Sequence, residues 1–552
     1  MKISVELHDK KKAMVTAMQR DRLPYWKLWR ELADYYLPSR YTCLLSDKER
    51  AVRNAKNPHI LDGTGTRAAR VLAAGMMNGI TSPSRPWFRL RLAGFADTGN
   101  NEARVWLDEV TRRMLLVMSE SNFYNSLAVM YLDLVVFGSA SMLIYEDFDS
   151  VIRCYNPNLG EFYLGNSERL DVNVFARSFK MRANQMAARW GVDNLSTTVA
   201  SAYRNGGASV LDEFEVHHLI EPNDLNDKLV PKRFRYRELY WEAGAPAGKL
   251  LSAAGYNELP GIFPRYELSG NDAYGTCPAM DALGDVIQLQ HETKRKAQGL
   301  DKMVSPPIVA DIQLQHRPSA LLPNGITYIS GMNNVGIKPA YQVNVPIDAL
   351  TMDIRDLSSR IRETFHNDLF LMISQLDTVR TAAEIYERKE EKLVMLGSVL
   401  ERFENEALDP AINRIYNIMD RANLLPPIPS GLEGSDIEIQ YESILSTAQR
   451  AVTTAPTERW LQLVAQLSPV YPKAVNVPNF DELILGYGAD IGVPARYMRT
   501  KEQLQQLNQQ TDQLVQAREM AATGGAFVDS AETLSKTDVG GGANALQKLL
   551  GA

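Results

Sequence analysis

A glycine motif near the N-terminus, Gly63-x-Gly65-x-x-Ala68, has the spacing of a dinucleotide-binding turn. Such glycines allow a phosphate to approach the first turn of a helix, where backbone N–H groups can bind it. A site of this kind also requires an acidic residue about 20 residues further on, and residues 83–90 contain none. The motif therefore favours a glycine-rich helix entry over a nucleotide site.

A second glycine motif, Gly331-x-x-x-x-Gly336-Ile-Lys338, has the length of a phosphate loop. Phosphate loops carry Lys and then Ser or Thr directly after the second glycine, because the lysine reaches the phosphates and the hydroxyl binds Mg²⁺. That order is absent here. The motif does not predict a nucleoside triphosphate site.

Acidic and histidine side chains alternate on one predicted strand. Glu213, Glu215 and His217 would share a strand face, which is either a metal-binding set or the solvated side of an amphipathic strand. The pattern favours the solvated side. His218 and Glu221 have the spacing HxxE, but residues three apart on a strand point to opposite faces.

Three adjacent cations, Lys294, Arg295 and Lys296, lie in the later turns of a predicted helix. Cations there either complement the helix macrodipole from solvent or contact nucleic-acid phosphates. The solvated interpretation is favoured, and the three side chains remain candidates for contact with DNA.

The composition indicates a globular chain with reduced thiols. The 552 residues are 45% hydrophobic, which allows several domains. Cys43, Cys154 and Cys277 are far apart without a CxxC pair, so no disulfide framework, zinc module or other cofactor is predicted.

The formal charge of −6 argues against tight DNA binding, which needs clustered Lys and Arg. No signal peptide and no membrane helix is expected.

Two amphipathic helical segments are predicted between Asp348 and Ala422, separated by a short link. Apolar residues recur at intervals of three and four along both, so each needs a packing partner. Thr381-Ala-Ala-Glu384 is typical of a capping box at the start of the second segment. Pro410 removes a backbone donor, and we expect a kink there. The packing and subunit-interface candidates are Leu350, Ile354, Leu357, Ile361, Leu393, Leu396, Leu400 and Phe403.

The remaining patterns predict an α+β protein that is predominantly helical. A helix is predicted over 23–40, with Pro24 at its start and Pro38 at its end, and further helices over 101–119, 121–136 and about 278–304. Short strands are predicted between 139 and 220, interrupted by a helix at 183–190, and a hairpin is predicted over 235–251.

Four stretches together resemble the portal proteins, or head-to-tail connectors, of short-tailed, podovirus-type bacteriophages. They are PYWKLWRELADYYLPSR at 24–40, LDGTGTRAARVLAAGMMNGITSPSRPWFRLRL at 61–92, ELPGIFPRYELSGNDAYGTCPAMDAL at 258–283 and TAAEIYERKEEKLVMLGSVLERFENEAL at 381–408. The similarity extends over about residues 20–500, and the second and fourth stretches are long enough to be specific.

The resemblance implies the phage portal fold, with wing, stem, clip and crown, assembling into a ring around a central channel. By position it implies a wing at 1–277, stem helix 1 at 278–305, a clip at 306–346 and stem helix 2 at 347–373. A channel loop would follow at 374–380, then a long kinked wing and crown helix at 381–425, a crown at 426–520 whose end could begin a helical barrel, and a flexible tail at 521–552. The channel-loop candidates are Ser374, Gln375, Leu376, Asp377, Thr378, Val379 and Arg380.

The function that the resemblance implies is structural and not enzymatic. A ring, expected to be a homododecamer, would occupy one vertex of the virion capsid, nucleate procapsid assembly in the bacterial host cytoplasm and conduct double-stranded DNA during packaging and ejection. Its partners would be the large terminase subunit, tail adaptor or head-completion proteins, the scaffold and the major capsid protein, with no membrane.

Two alternatives belong to other classes of protein. A nucleotide-dependent packaging enzyme would need a complete phosphate loop with acidic metal ligands. A monomeric nucleic-acid-binding protein would need a basic stripe.

Overall fold

The computed structural model describes residues 3–41, 44, 60–92, 101–224, 229–304, 308–310, 337–339, 346–374, 397–429, 437–441, 460–467, 469, 471, 477–480, 483 and 507. The chain forms two compact units, the first of residues 1–87, 113–425 and 443–449, the second of residues 88–112, 426–442 and 450–552. Helices alternate with antiparallel strands, so the predicted α+β class is confirmed. No helix among the described residues is long and apolar enough to cross a membrane.

The helices that the structure describes carry most of its residues. In chain order they are α1 Val5–Tyr35, α2 Pro38–Tyr41, α3 Thr64–Ile80, α4 Asn101–Glu120, α5 Phe123–Phe137, α6 Ala183–Trp190, α7 Thr197–Asn205, α8 Pro278–Asp281, α9 Leu283–Val304, α10 Ile347–Thr364, α11 Asn367–Ser374, α12 Gly397–Phe403 and α13 Asp409–Arg421. A π-helical turn, Glu404–Leu408, connects the last two. The helices predicted at 101–119, 121–136 and 183–190 are confirmed with small differences at their ends.

Helix α1 begins much earlier than the sequence pattern predicted. Ser4 caps it by accepting a hydrogen bond from the Leu7 N–H at 3.2 Å, and Pro24 lies inside the helix instead of at its start. Burial on both sides of the proline offsets the backbone bond that it removes. Arg22 donates to the carbonyls of Leu159, Gly160 and Phe162 at 2.9 to 3.1 Å, and the Trp29 indole donates to a carbonyl of α5. Pro38 was also wrongly placed at a helix end, because it begins α2.

Antiparallel sheets organise the middle of the first unit. Strands β4 Phe162–Asn166, β5 Val172–Arg182, β6 Glu213–Pro222, β7 Tyr236–Glu242 and β8 Ser252–Tyr256 form a sheet in that order, while β2 Met142–Asp147 lies between β3 Val151–Tyr155 and β9 Gly261–Ile262. The short strands β10 Ile308–Ala310 and β11 Ile337–Pro339 also pair. The predicted hairpin at 235–251 was too short, because its second strand is β8, after the turn.

A hydrogen-bonded group of polar residues is buried in the five-stranded sheet. The Arg177 Nε donates to His218 Nδ1 at 3.0 Å, so the ring proton lies on Nε2 and is donated to Glu238 Oε1 at 2.7 Å. The hydroxyls of Tyr240 and Tyr256 donate to the same carboxylate, each at 3.0 Å. Burial lowers the pKa of His218 to about 4, because the surrounding protein excludes the water that would solvate an imidazolium.

Helix α3 is the centre of the helical core of the first unit, and glycines and alanines occupy part of its contact face. A Cβ built on Gly65 would lie 3.0 Å from Val286 Cγ2 in α9, and one on Gly75 would lie 2.3 Å from the Phe370 ring in α11. Ala68 and Ala69 are buried on the same helix. Small residues therefore let neighbouring helices approach the α3 backbone closely.

The second unit contains a two-stranded antiparallel sheet. Strand β1 Phe88–Leu92 pairs with β12 Ile437–Tyr441, and the Leu90 N–H donates to Thr111 Oγ1 at 3.3 Å. The Trp106 indole donates to the Pro426 carbonyl at 3.0 Å. Residues 460–467 are helical.

We predict that acidification from pH 6.5 to pH 4 destabilises the subunit through His218. The unfolded imidazole, with a pKa near 6.5, takes up a proton in this range while the buried ring stays neutral until about pH 4. The free energy of unfolding should fall by on the order of 3 kcal/mol. Urea unfolding at several pH values should show that the free energy of unfolding depends less steeply on pH in His218→Gln than in the unmodified protein. The exposed His291→Gln serves as control, and equal slopes in all three proteins would contradict the prediction.

We also predict that substitution by alanine has opposite effects on the free energy of unfolding at two helical glycines, Gly75 and Gly284. Gly75→Ala should lower the free energy of unfolding by about 1 to 3 kcal/mol, because the new methyl group overlaps the buried Phe370 ring. Gly284→Ala, in α9, meets no atom within 4 Å and should raise it by about 0.4 to 1 kcal/mol. Thermal and urea unfolding measure both, and a neutral Gly75→Ala would show that α11 does not pack as described.

Candidate functional site

Helices α9 and α10 occupy the positions predicted for the two stem helices. They pack against each other, and Arg360 Nη2 in α10 forms an ion pair with Asp285 Oδ1 in α9 at 3.1 Å. The helix predicted from Pro278 is interrupted at Ala282, so α8 is a separate turn that begins with its proline. The assignment of these helices to a stem remains a prediction.

Side chains along the predicted apolar stripe of α10 differ in their burial. Leu357 and Ile361 are completely buried within the subunit, whereas Leu350 and Ile354 are half-buried. Leu357 and Ile361 therefore pack inside one chain. Leu350 and Ile354 keep the exposed surface that a contact between subunits requires.

The three predicted stem cations lie on one helix, α9. Lys294 and Arg295 are exposed and Lys296 is half-buried, while Val286 and Leu289 of the same helix are completely buried. The geometry leaves these cations accessible to a polyanion, and no described side chain forms an ion pair with them. Contact with DNA remains a proposal.

The glycine motif at the start of α3 has a packing role. Leu61 and Asp62 donate their backbone N–H groups to Gln290 Oε1 of α9 at 2.7 and 2.8 Å, and Gln290 Nε2 donates to the Asp62 carbonyl at 2.8 Å. Asp62 Oδ1 accepts from the Thr64 N–H at 2.7 Å. A side-chain carboxylate thus occupies the first turn, where a phosphate would bind.

The structure divides the apolar stripe that was predicted to run from α10 into residues 365–372. Helix α10 ends at Thr364, and His366, with a φ of 49°, separates it from α11. This turn places Phe365, Leu369 and Phe370 in the core, where the Phe365 ring lies 5.8 Å from that of Tyr36. The expected uninterrupted helix was wrong because burial of Phe365, Leu369 and Phe370 against distant parts of the chain outweighs the periodicity.

Helix α11 ends at Ser374, the first channel-loop candidate. The other candidates, Gln375, Leu376, Asp377, Thr378, Val379 and Arg380, lie outside the described residues. So do the capping box at 381–384 and the packing candidates Leu393 and Leu396. The channel loop therefore remains a prediction.

The segment around Pro410 contains the π-helical turn Glu404–Leu408 followed by α13, in which Pro410 lies in the first turn. Arg265, almost completely buried, binds both carboxylate oxygens of Glu406, at 2.7 and 3.1 Å. Leu400 and Phe403 of α12 are buried, and the Phe403 ring stacks on Tyr131 at 4.8 Å. A π-helical turn is a common cause of helix bending, and the predicted kink at Pro410 remains a proposal.

Residues that could have supported metal or thiol chemistry have other roles. The described chain contains no group of three His, Cys, Asp or Glu side chains that could hold a metal ion. His217 Nδ1 is hydrogen-bonded to Ser178 Oγ at 2.8 Å, and Glu213 and Glu215 are exposed. Burial raises the pKa of Cys154 and of Cys277 to about 12, so neither is a thiolate at neutral pH.

Sequence reasoning did not identify one cavity of about 670 Å³ in the first unit, lined by Arg153, Arg177 and Arg189. Arg177 gave no signal because it stands in an ordinary alternating strand, and its burial depends on β6 and β7.

Comparisons with known proteins agree on one family. The profile of the family described as "Bacteriophage head to tail connecting protein" matches residues 8–498. The portal protein of Salmonella phage epsilon15 is 38% identical over 94% of each chain. A protein of Bordetella phage BPP-1 named as a probable portal protein is 36% identical, also over 94% of each chain.

The helical α+β architecture, the match over most of the chain and the near-complete coverage of both relatives lead to one conclusion. The chain belongs to the family of bacteriophage head-to-tail connecting proteins.

Proposed function

We propose that this chain is the subunit of a portal ring at a capsid vertex, through which double-stranded DNA passes during packaging and ejection. The observation that carries the proposal is the 38% identity to the epsilon15 portal protein, which extends over 94% of both chains. A similarity of that extent covers the helices, the sheets and the segments between them together. The role is structural and not catalytic.

The proposed partners follow from a portal role. The ring is a homododecamer in the virion, assembled in the host cytoplasm with the scaffold and the major capsid protein. The large terminase subunit docks on the clip, residues 306–346, and tail adaptor or head-completion proteins bind later. No comparison supports the packaging-enzyme or the monomeric nucleic-acid-binding alternative.

The proposed conduit explains the charge of the chain. A net charge of −6 limits counterion-release binding, so DNA can slide without being held. The exposed cations Lys294 and Arg295 of α9 provide local contacts with phosphates, and the loop that begins at Ser374 forms the narrowest part of the channel. The half-buried Leu350 and Ile354 contribute to the contact between subunits.

Electron microscopy of the purified protein tests the proposed function, and rings with a central hole are the expected result.

We predict that Ile354→Asp abolishes rings while the subunit stays folded, because this side chain is only half-buried in one chain. Leu357→Asp should instead unfold the subunit, since it places a carboxylate in a fully buried site at a cost of several kcal/mol. Native mass spectrometry and circular dichroism distinguish the two, with the exposed Ser359→Asp as control. Intact rings of Ile354→Asp would remove this residue from the interface.

We predict that deletion of residues 375–379 leaves ring formation intact and impairs DNA packaging or retention, because the deletion removes the proposed constriction without touching α10 or α13. Packaged DNA per particle, measured in a phage assembly assay, provides the readout. Normal packaging and retention by the deletion variant would exclude the loop from the conduit.

A further inference from the structure

The cavity of about 670 Å³ has an aromatic and cationic lining. It lies between the β2–β3 hairpin, strand β5 and helix α6, and its volume is in the range of small-molecule and side-chain binding sites. Tyr155, Phe179 and Met181 provide apolar surface, while three arginines provide positive charge. Such a lining fits an apolar group that is accompanied by a carboxylate.

The arginines of this cavity outnumber the carboxylates that line it. Arg177 is only 4% exposed, and its neighbours are the neutral His218 and the rings of Phe179 and Tyr155, at 4.1 and 5.0 Å. The carboxylate among the described lining residues belongs to Glu146, which forms an ion pair with Arg421 at 2.6 Å. The lining itself therefore carries a net positive charge. The buried Glu238 carboxylate lies behind it, connected to Arg177 through His218 and to Arg189 through Tyr240.

The tip of the β2–β3 hairpin has the complementary chemistry. Phe148 is fully exposed, and the exposed Asp149 follows it. The turn is fixed, because Asp147 Oδ2 accepts from the Ser150 N–H and Oγ at 3.1 and 3.0 Å, bonds that also lower the pKa of Asp147. A rigid exposed aromatic residue loses little conformational entropy on binding.

We infer that Phe148 and Asp149 of one copy of this chain insert into the arginine-lined cavity of a neighbouring copy. The phenyl ring packs on Tyr155, Phe179 and Met181, and the Asp149 carboxylate binds the arginines at the mouth. The inference rests on the proposed ring and names one of the contacts that hold it together.

A second copy is the partner that the observations favour. The tip of each chain is exposed, so a chain does not fill its own cavity with its own Phe148. Insertion of each tip into the cavity of the next copy, in one rotational direction, is a heterologous contact, which is the kind that generates rings. The aspartate and the arginines supply opposite charges across it.

Cysteine cross-linking in the full-length protein tests the inference. In a Cys154→Ala background, the Phe148→Cys/Gln185→Cys variant should give a ladder of covalent multimers on oxidation, because Gln185 lies at the cavity. The Phe148→Cys/Ser201→Cys variant, whose second site is exposed on α7, should give far fewer. Non-reducing gel electrophoresis of assembled rings provides the readout.

A charge exchange provides an independent measurement that does not depend on oxidation. Asp149→Arg and Arg189→Glu should each raise the subunit concentration at half-assembly by about tenfold, and the double variant should restore assembly. Both sites are exposed, and thermal unfolding checks that each subunit is folded.

Several outcomes would overturn the inference and leave the proposed function standing. One is a set of rings with no cross-link above the Ser201 control, and another is a double variant no better than the single ones. Equal maleimide labelling of Gln185→Cys in rings and in free subunits would show that no copy covers the cavity, leaving a small anion or another protein as its occupant. Absence of rings in the unmodified protein would instead overturn the proposed function.

Discussion

The close approach of neighbouring helices to α3 is the constraint on which the helical core of the first unit depends. Gly65 brings the backbone of α3 against Val286, and Gly75 receives the ring of Phe370. Since both helices that carry these side chains come from distant parts of the chain, α3 brings 64–80, 283–304 and 367–374 together. Dispersion contacts fall off steeply with distance, so a single added methylene at this face is felt throughout the core.

Buried arginines form a second set of constraints, because each needs partners in fixed directions. Arg22 binds three carbonyls, Arg265 binds both oxygens of Glu406, and Arg237 binds Glu221 at 2.7 Å. Removing water from a guanidinium is costly, so these groups specify geometry more than they add stability. Arg177 instead donates to the neutral His218 ring and lines the cavity.

The parts of the fold that the sequence predicted are those governed by local periodicity. Helices at 101–119 and 183–190 were predicted because one apolar face repeats every three or four residues. The break at His366 and the interior position of Pro24 were missed, since both depend on burial by residues far away in the chain. The cavity at Arg177 was missed for the same reason. The resemblance to the portal family came from long sequence motifs. In such motifs the identity of each residue carries information that hydrophobic periodicity does not contain.

The π-helical turn Glu404–Leu408 constrains the number of residues in this segment. One wider turn absorbs an extra residue, and each residue in an α-helix rotates the next by about 100°. Ile412, Ile415 and Ile418 are buried with that extra residue in place, and Glu406, inside the wider turn, binds Arg265. A one-residue deletion here would leave the identity of every later side chain unchanged. It would nevertheless rotate helix α13 by about 100° relative to the core that its isoleucines now face. In this segment the number of residues is thus as strictly constrained as their identity.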